Sequence, residues 1–159
     1  FVLAGAAAGL PLRPLDTGVI DIASNPQTAT SPCNATPPVE MTLCGSATGY
    51  WAHGGLGLPG LQVWKDAAGR VHIRGSVVGI GSFFSGADVM VLAPAFRPRR
   101  TLSFSLGMSR ANQNLGGRAM VIVYGPEVPA RHGFVGMQFT TDALDRALHF
   151  GEIIFSVDR

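Results

Sequence analysis

The chain has 159 residues and a mass of 16.6 kDa, which is one domain, or one domain with an arm. Charged residues make up 14%, apolar residues 47%, and the mean hydropathy is +0.27. An ordinary soluble protein carries roughly 25% charge, so this balance excludes dominant disorder and a highly charged coiled coil. The net charge of +2, from 12 basic and 10 acidic residues, gives no basic footprint for nucleic acid or an anionic membrane.

Phe1 to Leu10 is apolar but short, lacks a basic leader and runs into Pro11 and Arg13. It reads as neither a spanning helix nor a signal peptide, and a start at Phe points to a processed chain or a piece of a longer one. Val19 to Ile22 alternates and predicts a short strand. Asn25 to Pro38 is Pro-, Thr- and Ser-rich without periodicity and predicts loop. Residues 1–49 are therefore expected to be an irregular arm or shaft connector, and residues 50–159 the folded head.

Cys33 and Cys44 fall in the arm. A bridge between them would close a short loop and add about 3 kcal/mol in the chain-entropy model. The alternative is two ordinary thiols, and the sequence leaves both open. Asn34-Ala35-Thr36 matches a three-residue glycosylation sequon, a weak signal outside a eukaryotic secretory route.

From Tyr50 onward the pattern is regular. Leu61 to Trp64 and Val71 to Val78 flank a charged turn containing Gly69, which predicts a hairpin. Val71, Ile73 and Gly75 should point to one face, and His72, Arg74 and Ser76 to the other. Val89 to Leu92 is a short apolar strand. Thr101 to Met108 places Leu102, Phe104, Leu106 and Met108 on one face. Arg118 to Tyr124, Phe134 to Phe139 and Ala147 to Val157 complete the set, with Asp142 to Ala147 a candidate helical turn. Short strands at this spacing, with Gly (21) and Pro (11) in the turns, predict an all-β, antiparallel sandwich or jelly roll. Low charge on so small a domain suggests that apolar surface is hidden against other copies.

Three places carry a family resemblance. Trp64 to Gly75 (WKDAAGRVHIRG) is similar to a strand–KD..G.V.LRG–strand hairpin. Val91 to Pro98 (VLAPAFRP) is similar to an LP.GYRP turn, with Ala93 inserted and Ala95 where Gly is usual. The strands Thr101–Met108 and Arg118–Tyr124 then lead to Gly125, and His149 to Phe155 resembles a closing L.GI.F segment. Together, over about two thirds of the chain, they resemble the C-terminal head domain of bacteriophage tail-fibre, baseplate and receptor-binding proteins. The resemblance implies a homotrimer on a virion, extracellular after release, that binds a host surface polysaccharide without catalysis or cofactor. The arm would contact other virion proteins. No membrane insertion is implied.

Candidate glycan-binding residues are the aromatic pair Tyr50 and Trp51, the loop residues Arg110, Asn112, Gln113 and Asn114, and Arg131 with His132 in the Pro126–Gly133 loop. Aromatic faces stack on sugars, and guanidinium and amide groups hydrogen-bond hydroxyls. Trp64 should be packed, and Arg97 should pair structurally while Arg99 and Arg100 are solvated. His53, His72, His132 and His149 show no metal-ligand spacing. No GxSxG elbow or phosphate loop occurs. Two other function classes stay open: a purely structural trimerising knob or decoration protein, and a glycan depolymerase with a convergent acid pair.

Overall fold

The structure, a computed structural model, describes residues 17–54, 57, 59–81, 87–110, 113–138 and 146–158. The ten strands among them are β1 (Ile20–Asp21), β2 (Gly45–Ser46), β3 (Gly49–His53), β4 (Gln62–Lys65), β5 (Arg70–Gly81), β6 (Asp88–Val91), β7 (Leu102–Arg110), β8 (Gln113–Val123), β9 (Phe134–Gln138) and β10 (Arg146–Ser156). They form one curled sheet in the order β1-β4-β5-β10-β7-β8-β9-β6, with β3 beside the second half of β5 and β2 beside β3. Every named strand pair is antiparallel. The all-β expectation holds, and the sheet is continuous.

Residues 41–44 close this sheet on itself. On one side Met41 N–H donates to Val91 O and Cys44 N–H to Val89 O, antiparallel to β6. On the other, Ala23 N–H donates to Met41 O and Leu43 N–H to Ala23 O, parallel to the chain leaving β1. Closure covers β1 and β6, the two strands that an open sheet of this order would leave as its edges.

This corrects the expected division at residue 49. Residues 1–16 lie outside the described residues, but Ile22, Leu43 and Cys44 are buried in the same core as Val63, Val121 and Phe150. The Pro- and Thr-rich stretch is held by the disulfide, by the Ala47 N–H bond to Thr28 O and by the Asn25 and Ser31 side chains on Gly45, so its lack of periodicity did not mean lack of structure. Cys33 and Cys44 are bridged, with Cα atoms 5.4 Å apart.

Alternation fixes the faces as expected. In β7, Leu106 and Met108 are buried while Ser103 and Ser105 are exposed; Ala119, Val121 and Val123 of β8 face the same core. Val71, Ile73 and Val77 of β5 are fully buried. Lys65 is also buried. Its apolar stem lies against the core and its Nζ donates to Ala95 O at 2.9 Å, tying the hairpin to the 3-10 turn Pro94–Phe96. Arg97 pairs structurally, donating from Nε to Leu92 O at 2.8 Å and from Nη2 to Glu40 at 2.7 Å. Arg99 and Arg100 are exposed. The helical turn expected at Asp142 to Ala147 is corrected at its end: Arg146 and Ala147 open β10, while residues 142–145 lie outside the described residues.

The β4–β5 turn carries an acid-sensitive contact. Asp66 accepts from Ala68 N–H, from Arg70 N–H and side chain, and from His72 Nε2 at 3.0 Å. The His72 bond is the largest cause holding the Asp66 carboxyl well below the usual carboxylate range, with the Arg70 amide next. A folded value below the unfolded one means stability that is full above about pH 4 and lost as pH falls. Asp66→Asn should therefore flatten the loss of stability between about pH 5 and pH 2 relative to wild type. Urea midpoints across that range would show it, and identical slopes would contradict it.

Candidate functional site

At one end of the curled sheet, a cleft of about 470 Å3 opens between the loop at residues 29–34, the β2–β3 turn and the start of β6. That volume is within the range of small-ligand sites. The disulfide forms part of its wall, with Cys33 and Cys44 both lining it. Polar groups come from Thr30, Asn34, Ser46, Thr48 and Asp88.

The backbone around the cleft is held by side chains. Ser31 Oγ accepts from Gly45 N–H at 2.9 Å and from Cys33 N–H at 3.3 Å, bridging the loop to β2. Asn25, itself buried, donates from Nδ2 to Gly45 O at 2.8 Å. Ser46 and Thr48 share a hydroxyl contact at 3.1 Å across the tight β2–β3 turn. Thr30, Asn34 and Thr48 are exposed. The result is a rigid rim with hydroxyls and an amide turned to solvent.

Asp88 is the charged member. Arg131 forms an ion pair with its Oδ1, and the guanidinium lies 4.4 Å from the Tyr124 ring centre and 5.6 Å from that of Phe134. Burial pushes the Asp88 carboxyl above the usual carboxylate range, and the Arg131 charge opposes that shift. The indole Nε1–H of Trp51 donates to Asp88 O at 2.8 Å.

Two residues expected to touch a glycan therefore act behind the cleft. Trp51 is 1% exposed and offers no ring face to solvent, a correction to its expected role as a platform. It lies on the inner face of β3 because the alternation that turns Tyr50 outward turns Trp51 in. Arg131 is corrected in the same way: its stacking and ion pair position Asp88. Tyr50 is half-buried beside Gly45 and Ile80 and is not among the residues lining the cleft. His132 is half-buried, with Nε2 3.3 Å from Pro98 O.

Arg110 and Gln113 pair in the strand register at the far end of the β7–β8 hairpin, and Asn114 follows in β8. Their side chains, and all of Asn112, lie outside the described residues. Among the described residues, no group of three or more His, Cys, Asp or Glu could hold a metal ion, and no helix is long and apolar enough to cross a membrane.

Comparison with protein-family models, curated sequences and solved structures finds no match.

The cleft residues gave little sequence signal. Thr30, Asn34, Ser46 and Thr48 are commonplace polar residues in loops, and Asp88 is 40 or more positions from each of them. What would have drawn attention is the cysteine pair, since a bridge there pins both walls.

Proposed function

We propose that this chain is the head domain of a fibre or spike on a phage or phage-like particle and binds a host-surface saccharide in the cleft. The observation that carries the reading is the lining: exposed hydroxyls and an amide on a backbone pinned by a disulfide and by Ser31. A saccharide offers a dense array of hydroxyls, and small, fixed donors and acceptors match it at low ordering cost. The virion context rests on the motif resemblance alone. Asp88 is already committed to Arg131, which favours binding over acid catalysis.

The proposed assembly is a homotrimer, in which weak single sites gain avidity. Light scattering should return about three times 16.6 kDa. A clean monomer would remove the avidity argument and the carry-over from the resemblance.

The direct test is an array of bacterial surface oligosaccharides probed with wild type and with Thr30→Ala/Asn34→Ala/Thr48→Ala. All three positions are exposed, so stability should change little. Wild type should retain at least one oligosaccharide, and the triple variant should bind it about tenfold more weakly or worse. Equal binding by the variant, or release of shortened glycan from the array, would overturn the reading. The second outcome would point to a depolymerase.

A further inference from the structure

The lining of the cleft holds a single ionisable group. Among the described residues that line it, Asp88 alone can carry charge, since Cys33 and Cys44 are bridged and the others are Ala, Gly, Ser, Thr and Asn. Arg131, the partner of Asp88, is not one of the lining residues. The hydroxyls of Thr30, Ser46 and Thr48 and the amide of Asn34 can meet sugar hydroxyls, but this lining brings no cation to a uronate, phosphate or sulfate.

The Asp88 carboxylate is fixed in place and only half engaged. Trp51 Nε1–H holds its main-chain carbonyl at 2.8 Å, and its Oδ1 accepts from Arg131 Nη2. Among the described residues nothing else pairs with the carboxylate, which leaves Oδ2 without a protein partner. Oδ2 is not sealed in either. Among the described residues, Arg131 Nε is the one buried side-chain polar atom that lacks a partner. Oδ2 therefore reaches solvent, in keeping with a side chain that is 20% exposed. Burial outweighs the Arg131 charge and holds the carboxyl above the usual carboxylate range, so the anion is still short of positive compensation. A partly desolvated carboxylate in that state gains from a second cation and is repelled by a second anion.

We infer that the cleft selects an amino sugar, one whose unsubstituted ammonium donates to Asp88 Oδ2 while its hydroxyls meet the Thr, Ser and Asn groups of the rim. The inference rests on the saccharide reading of the cleft and names the class of sugar. The probe is D-glucosamine, titrated at constant ionic strength into 15N-labelled full chain at about pH 6.5, where an amine carries its proton. D-glucose is the neutral twin and methylammonium the charge alone. Glucosamine should shift the Thr30, Thr48 and Asp88 amides saturably, with glucose and methylammonium each about tenfold weaker or worse. Asp88→Asn keeps the shape and an oxygen for Arg131 but removes the charge, and it should bring the ratio of glucosamine to glucose affinity down to about one. Thr30→Ala/Asn34→Ala/Thr48→Ala should weaken the two sugars together. Equal binding of glucose or methylammonium by wild type would overturn the inference, whether or not Asp88→Asn folds. A glucosamine preference that survives in folded Asp88→Asn would overturn it as well. The array separates this failure from failure of the cleft reading. An oligosaccharide without amino groups that wild type retains and the triple variant loses would leave the cleft standing and remove the amino-sugar preference alone.

Discussion

Trp51→Ala should destabilise the protein by about 4 kcal/mol, the cost of deleting a large, fully buried aromatic side chain and leaving a cavity. Trp51 is 1% exposed and hydrogen-bonds the Asp88 carbonyl, so the variant loses packing and a buried partner together. Tyr50→Ala, one residue away on the outer face, should cost about 1 kcal/mol or less. Urea denaturation of the two variants makes the comparison. A ring that served as a sugar platform would give the opposite pattern, with binding lost and stability near wild type. Because Trp51 also holds one wall of the cleft, a partly folded Trp51→Ala chain should bind oligosaccharide poorly as well.

Loss of the Cys33–Cys44 bridge is the second large effect. The bridge spans a sequence separation of 11, and opening it should cost about 3 kcal/mol in the chain-entropy model. Cys33→Ser/Cys44→Ser adds the burial of two hydroxyls at sites only 2% and 3% exposed, so that figure is a lower bound for the variant. The disulfide joins the 29–34 loop to the segment that closes the sheet against β6. Reduction should therefore loosen the cleft before it unfolds the domain. Hydrogen exchange with and without reductant would reveal this as early loss of protection at Cys33, Cys44 and Gly45. Uniform loss of protection across β5, β7 and β10 would contradict it.

Strand identity was legible in the sequence wherever one face alone is buried. Leu102 to Met108 alternates because the sheet has an inside and an outside, and the same rule placed Val71 and Ile73 inward and His72 and Arg74 outward. The rule stops at Gly75, where the bulge opposite it breaks the register. Closure of the sheet was not legible. It depends on main-chain bonds from Met41 and Cys44 to β6, nearly 50 residues away, and main-chain groups leave no mark on residue type.

The site was the least legible part. Arg131 and Trp51 stand out in the sequence for their side-chain chemistry, and that chemistry is used, but inward, on Asp88. An arginine in a loop reads as available until a partner is known. Trp64, expected to be packed, is packed against His72 and Arg74 on the outer face. Sequence spacing sets which face a side chain takes within a strand; it does not say which face a neighbouring loop covers.

The most direct test of the saccharide-binding cleft is a 15N NMR titration of the full chain with the oligosaccharide that binds best on the array. The predicted shifts fall on the amides of Thr30, Ser31, Asn34, Ser46, Thr48 and Asp88, and in the Thr30→Ala/Asn34→Ala/Thr48→Ala variant the cleft saturates at about tenfold higher ligand concentration or worse. Shifts confined to the Arg110–Asn114 end of the β7–β8 hairpin, with the cleft amides unmoved, would contradict the account.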